Sequence, residues 1–257
     1  IAGLVRISDP KFVEVLRLKY FDKLQQYSTR ITDGHTYTVI VDIDEKSLEE
    51  IGQWPWSRTV LAELFKKCAE SGMLVLGLDI LFAEPDRTSP NLIALDLEKS
   101  QPELANQLSK MPPNEVIATN FMLKKGEKFD PKKPKIRVVL GHSALNIEGD
   151  ENRNDIQDTS VNAFLGKDPK KWLSPSIGLL ANVSEFENSA YGAGTISLAQ
   201  EPDGIIRRVP IVSNIAGKVR PALALEIIRV AFEGNSIATK TGINGIESVI
   251  MQTKSIG

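Results

Sequence analysis

Apolar side chains in the first part of the chain fall at three- and four-residue steps: Phe12, Val15, Leu16, Tyr20, Leu24 and Tyr27. That period predicts one long amphipathic helix over 9–30. Asp9 is placed as its N-cap and Pro10 at its first helical position. The period then changes. In "TYTVIVDIDE", Val39, Ile40, Val41 and Ile43 form a nearly continuous apolar run, the pattern of a strand buried on both faces. A short helix over 47–51 follows, with capping-box spacing between Ser47 and Glu50, and Gly52 to end it. A stronger helix is predicted over 57–71, stopped by Gly72. A second buried strand, "MLVLGLDILF", covers 73–82. Strand, helix and strand at this spacing predict a right-handed βαβ unit.

The alternation continues. "EPDRTSPN" reads as a loop, and 102–110 as a helix with Leu104 and Leu108 inward. "NEVIATNF" reads as a third strand and "IRVVLGHSALNIE" as a fourth. Between them, 124–135 is rich in lysine, and because Glu127 and Asp130 interrupt the positive run it reads as a solvated excursion. Residues 149–170 are polar and acidic, a loop pattern. "YGAGTISLAQ", "EPDG" and "IIRRVPIVSNI" predict a β-hairpin, since Pro202 presets φ and Gly204 accepts positive φ. A helix over 221–234, with Leu223, Ile227 and Val230 on one face, and a strand over 247–252 complete the chain. The expected fold is α/β: a single three-layer domain with a mixed, largely parallel sheet, helices on both faces, a C-terminal β-hairpin and a long N-terminal helix. Residues 1–34 are assigned to the stalk helix and 35–257 to the α/β domain.

Composition narrows the function. The 257 residues carry a net charge of −2, so no basic footprint for nucleic acid exists. The single cysteine, Cys68, rules out a disulfide framework and, at helical spacing with Leu61, Leu64 and Phe65, is expected to be buried. Low cysteine content suits the cytosol and the bacterial periplasm alike. No apolar run reaches the ~18 residues of a membrane span, and no signal peptide is visible. The chain begins at Ile1 and ends at Gly257 without a stop signal, which reads as a piece of a longer protein whose anchors lie elsewhere.

Several catalytic patterns fail on the residues themselves. "GHSAL" has Leu145 where a nucleophile elbow needs Gly, and both histidines, His35 and His142, precede Ser143. Two isolated histidines also argue against His-based zinc chemistry. "GAGTIS" puts Ser197 at the third glycine position of a dinucleotide fingerprint and leads into a strand rather than a helix. The Asp150, Asn152, Asn154 run has Asp155 and Val161 where a calcium loop needs Gly and Glu.

What remains is an acidic cluster with arginines. Asp42 and Asp44 end the first predicted strand on one face, Asp79 lies late in the second, and Glu84 and Asp86 follow it. Strand ends of this kind share a crevice in parallel α/β sheets. Arg58, Arg87, Arg207 and Arg208 are the cations available, Arg207 and Arg208 on opposite faces of their strand. The cluster reads in three ways: a buried ion-pair network, a ligand site, or a Mg²⁺-dependent centre using Asp42, Asp44 and Asp79. "IGQWPWSR" adds an aromatic pair. Ser57 fits the N-cap of the following helix, with Trp56 and Leu61 at hydrophobic-staple spacing. Trp54 has no staple partner and joins the ligand-site candidates.

The blocks "VIVDIDEKSLEEIGQWPWSR", "GLDILFAEPDR", "GTISLAQEPDGIIRRVPIV" and "PALALEIIR" together resemble the CHASE2 extracellular sensory domain of bacterial transmembrane receptors, over about 37–233. The resemblance implies a non-catalytic periplasmic sensor. It would be held to the membrane by flanking transmembrane segments and followed by an intracellular output such as an adenylate, guanylate or diguanylate cyclase or a histidine kinase. It implies no cofactor and supplies no binding residues. The stimulus is then a small molecule, an ion or a partner protein, and a homodimer is expected. Under this reading the first helix either packs on its own domain or leads in from the membrane and pairs with a second chain.

Overall fold

A computed structural model of the chain describes residues 11–27, 37–159, 161, 163–198 and 201–253. It is an α/β protein that divides into two compact units: Ile1–Gln53 with Leu198–Val209, and Trp54–Ser197 with Pro210–Gly257.

The first unit contains α1 (Lys11–Tyr27) and α2 (Glu45–Ile51). The predicted capping residues Asp9 and Pro10 lie outside the described residues. Leu18 of α1 is buried, at 3% exposed, whereas Phe12, Leu16, Tyr20, Leu24 and Tyr27 are all exposed. The apolar stripe therefore faces outward, not onto the unit. The predicted strand over 37–44 is not formed: the segment is irregular, and Val39, Ile40 and Val41 are exposed. Strand propensity expresses packing against neighbours, and no described residue of this unit supplies a ladder. The helix after it starts earlier than expected. Asp44, not Ser47, is the N-cap, its Oδ1 accepting from Ser47 N at 2.9 Å and Ser47 Oγ at 2.6 Å. Gly52 closes α2 at φ 110°, donating to Leu48 O. The Pro202-Asp203-Gly204 turn is present, with Gly204 at φ 81° and Glu201 N donating to Ile205 O at 3.1 Å. No strand flanks it among the described residues, which do not form the predicted hairpin there.

The second unit holds the strands. In order it contains α3 (Arg58–Glu70), β1 (Val75–Leu78), α4 (Pro90–Leu97), α5 (Pro102–Leu108), α6 (Asn114–Thr119), β2 (Arg137–Leu145), β3 (Ala163–Leu165), a 3₁₀ turn (Pro169–Trp172), β4 (Pro175–Ser176) and β5 (Gly178–Leu180). Then follow α7 (Ser184–Ser189), β6 (Gly192–Thr195), β7 (Val212–Ile215), β8 (Lys218–Pro221), α8 (Leu223–Ala231), β9 (Ser236–Thr241) and β10 (Ile246–Gln252). Three sheets form. In the first, β1, β2 and β6 are parallel, with Val75 opposite Arg137 and Val139 opposite Gly192, while the far end of β2 pairs antiparallel with β5. The others run β3–β9–β10 and β4–β7–β8. The antiparallel hairpins are β7–β8, turning at Ala216-Gly217, and β9–β10.

The parallel pair comes from β1 and β2, with α4, α5 and α6 between them, rather than from a strand before α3. "NEVIATNF" forms α6, not a strand. Glu115, Ala118 and Thr119 are its buried face, a three- and four-residue spacing that the short run of Val116 and Ile117 hides. The second predicted strand contracts to β1, and α4 arises where only a loop was expected up to residue 91. In α5 the inward residue is Ala105, and Leu104 is exposed.

The main core packs Leu61 and Phe65 of α3 against Leu76 and Leu78 of β1, Val138 and Leu140 of β2, and Phe82 and Phe186, with Cys68 also buried. Each such Leu or Phe contributes about 1.5–3 kcal/mol of burial. The opposite face of the sheet takes α8, and glycines set the approach. A Cβ on Gly77 would meet Ile227 Cδ1 at 2.2 Å, on Gly192 the Glu226 Oε1 at 2.1 Å, and on Gly194 the Leu223 Cα at 2.6 Å. The glycines of "GAGTIS", which fail as a nucleotide fingerprint, are there to let a helix lie close on a strand.

Candidate functional site

The loop after β1 is fixed by one carboxylate. Asp86 accepts from Arg58 N at 2.7 Å, Ser57 Oγ at 3.0 Å, Asn114 Nδ2 at 2.9 Å, and both Thr88 N and Thr88 Oγ1 at 2.8 Å. It thereby shares the capping of α3 with Ser57, whose Oγ accepts from Thr59 N. The Asp86 N–H in turn donates to Glu115 of α6, and Glu115 also accepts from Ser89 Oγ at 3.2 Å. Burial alone raises the Asp86 carboxyl, but the hydrogen bonds from Arg58 N, Asn114 and Thr88 outweigh it and hold the group at about 2.

Arg58 leaves the same turn. Its guanidinium lies 4.5 Å from the centre of the Phe82 ring, with Nη1 donating to Trp56 O at 3.3 Å and Nη2 to Glu84 O at 3.4 Å. Burial pushes its pKa down, opposed by the charges of Asp86 and Glu115. Trp54 sits edge-to-face with Trp56, centroids 5.5 Å apart, and 6.4 Å from Phe82, packed on the main core. Trp54, Arg58, Glu84 and Asp86 are thus brought together as a scaffold joint. The Asp86 oxygens are already satisfied by protein donors, so the joint holds α3, α6 and the loop in place rather than presenting free acceptors.

The other candidates make none of the hydrogen bonds of this joint. Asp79, immediately after β1, and Arg87 are exposed. Asp42 is exposed and Asp44 is the cap of α2, both in the first unit. Among the described residues no group of three or more His, Cys, Asp or Glu side chains is placed to hold a metal ion.

Arg207 belongs to a different construction. Its side chain, 5% exposed, forks twice: Nε and Nη2 bond Asp22 of α1 at 2.7 and 2.8 Å, and Nη1 and Nη2 bond Asp203 at 2.9 and 2.7 Å. The Arg207 hydrogen bonds draw the Asp203 carboxyl to about 2 and lower Asp22, and the two carboxylates raise Arg207. Leu18 and Asp22 are one turn apart on α1, so this clamp fixes which face of the helix turns inward. Arg208 is exposed and pairs with Glu201 at 3.1 Å. Residues 205–211 are not a strand, so the expected opposition of the two arginines across a strand does not arise; Arg207 takes Asp22 and Asp203, and Arg208 takes Glu201.

A second buried polar cluster has no counterpart in the sequence reading. His142 of β2 and Glu187 of α7, 1% and 0% exposed, meet with Nε2 2.8 Å from Oε1. The carboxylate also accepts from Asn182 N at 3.0 Å, Asn182 Nδ2 at 3.1 Å and Gln157 N at 2.9 Å. Burial raises the Glu187 carboxyl, and the His142 hydrogen bond and charge, with those backbone donors, bring it below its ordinary value. Arg220, 3% exposed, has buried Nε and Nη1 atoms without partners among the described residues; burial pushes its pKa down, opposed by the charges of Asp158 and Glu187. No local pattern marks Glu187: "SEFENS" reads as an exposed polar turn of helix, and its histidine lies 45 residues away.

No described helix is long and apolar enough to cross a membrane. No curated protein and no solved structure matches the chain. The family model of the CHASE2 domain, a sensory and non-catalytic domain of signalling receptors, matches residues 1–256, so the chain belongs to the CHASE2 family.

Proposed function

We propose that this domain is the periplasmic sensor of a bacterial inner-membrane receptor, anchored by flanking transmembrane segments, and that it regulates an intracellular output such as a nucleotide cyclase, a diguanylate cyclase or a histidine kinase. The observation that carries the signalling route is the double fork of Arg207. It ties α1 to the Pro202-Asp203-Gly204 turn through paired charge-assisted hydrogen bonds, the strongest kind available to side chains. A stimulus that binds two arrangements of this turn with different affinity biases the position of α1, and nothing weaker than differential affinity does so. Of the candidate residues, Arg207 is then the transmitter, while Arg58 and Asp86 fix the loop after β1 within the second unit.

The test is output activity of the full-length receptor in membranes. Arg207→Ala should change basal output several-fold, with Arg208→Ala, whose ion pair is exposed, close to the unmodified receptor. Equal output from all three would sink the coupling role. A reporter enzyme active only outside the cytoplasm, fused after Gly257 in the receptor, checks the location.

The exposed stripe of α1 supports a homodimer in which a second copy covers Phe12, Leu16, Tyr20 and Leu24. Tyr20→Cys should give a disulfide-linked dimer of the receptor in oxidised membranes, and the native Cys68 is buried and does not compete. A cross-link no stronger than that of an exposed position such as Lys110→Cys argues against this seam.

A further inference from the structure

A concavity of about 370 Å³ opens on the second unit between the solvent face of α3, the turn after α6 and the end of the 124–135 excursion. That volume is within the range of small-molecule pockets. Its charged lining is Lys66, Lys132, Lys133 and Lys135 against Glu70. Even with Glu127, which pairs with Lys135, two positive charges remain in a chain whose net charge is −2. Phe121 and Pro134, both half-buried, give one wall an apolar surface.

In the sequence Glu127 and Asp130 interrupt the lysine run of the excursion. The structure uses them otherwise. Glu127 accepts from Lys135 Nζ and from Lys124 N at 3.1 Å, and Asp130 accepts from Lys132 N at 2.9 Å through its side chain and from Lys133 N at 3.0 Å through its carbonyl. These bonds close the excursion on itself. Its ends are then clipped to the turn after α6 by Ile136 N to Phe121 O at 2.9 Å and Leu123 N to Ile136 O at 2.8 Å. The lysine run is therefore held beside α3. Lys132 and Lys133 make no side-chain ion pair among the described residues, and Lys66 makes only a 4.0 Å contact with Glu63 on the surface.

We infer that this cavity is a binding site for a phosphoryl-bearing solute. All the lining cations are lysines. A lysine acts as a compact point charge suited to phosphate, whereas planar two-point capture of a carboxylate favours arginine. Several ammonium groups around one concavity offset the charge of a multivalent oxyanion, and the Phe121 wall accommodates an organic portion.

Sodium pyrophosphate is the probe, titrated calorimetrically into the chain at fixed ionic strength, so the outcome does not depend on the location or output of the receptor. Saturable binding is expected. The Lys132→Gln/Lys133→Gln pair should weaken it by about tenfold or more. Lys170→Gln/Lys171→Gln, at the 3₁₀ turn and outside the cavity lining, should leave it unchanged. Glu70→Gln removes the repelling carboxylate and should tighten binding a few-fold, a gain that misfolding does not mimic. Absence of saturable binding at about ten millimolar, an equal loss in the Lys170/Lys171 control, or attachment to phosphatidylglycerol vesicles without pyrophosphate binding would each overturn the inference.

Discussion

A carboxylate that accepts hydrogen bonds from Arg58, Ser57, Thr88 and Asn114 must be ionised to hold them all. For Asp86, held at about 2 against an ordinary 3.8, the linkage has one sign. Its stabilisation is fully present above pH 3.8 and is lost as pH falls through about 2. The shift corresponds to about 2 kcal/mol. Asp86→Asn should therefore be destabilised by about that amount at pH 7 in urea unfolding and should converge with the unmodified domain near pH 2. A gap that persists at low pH would show that the cost is steric and not ionic. Glu187 makes a second case. Glu187→Gln puts an amide donor where Asn182 and Gln157 N–H groups already point, with an expected loss of about 2–4 kcal/mol in the same assay. Residue roles were legible where they depend on near neighbours: Ser57 is the cap that its spacing announces. They were not legible where the partner is remote. Trp54 packs with Phe82, and Asp86 is completed by Asn114, 28 residues on.

At the scale of elements, helices with a clear start and a full amphipathic period were readable, as α3 and α8 show, and so was β2, with nine residues of strand-forming sequence. Two short apolar runs were read in the wrong state. Runs of this length carry almost no period, so burial on the whole fold decides between helix and strand. Residues 114–119 take a helix whose buried face, Glu115, Ala118 and Thr119, has helical spacing, and Glu115 on that face meets the Asp86 loop. Residues 37–44 form no strand because no ladder is offered among the described residues of their unit. The glycines under α8 give the element-scale prediction. Gly194→Ala places a methyl 2.6 Å from Leu223 Cα and 2.7 Å from its N, backbone that cannot rotate away, and should cost about 1–3 kcal/mol. Gly204→Ala meets nothing within 4 Å and should cost only the strain of its φ of 81°, about 1 kcal/mol. Thermal unfolding of the two variants should rank them in that order, and the reverse order would contradict the close-approach role.

At the scale of the molecule, Trp54, Trp56 and Trp172 all belong to the second unit, while the Arg207 clamp is internal to the first. Arg207→Ala should leave the tryptophan-reported unfolding midpoint nearly unchanged and accelerate proteolysis within 198–209. A large fall in that midpoint would mean that the clamp supports the whole chain and not α1 alone. The sequence by itself determined the α/β class, the long first helix, the buried Cys68 and the family, because each rests on local period, composition or contiguous motif blocks. Only the tertiary structure decided that Asp86 becomes a loop joint and Arg207 a helix clamp, that His142 and Glu187 meet in the core, and that four lysines converge on one cavity. Those outcomes depend on residues tens to nearly two hundred positions apart being brought together, and a carboxylate shows nothing along the chain of which remote donor it will meet.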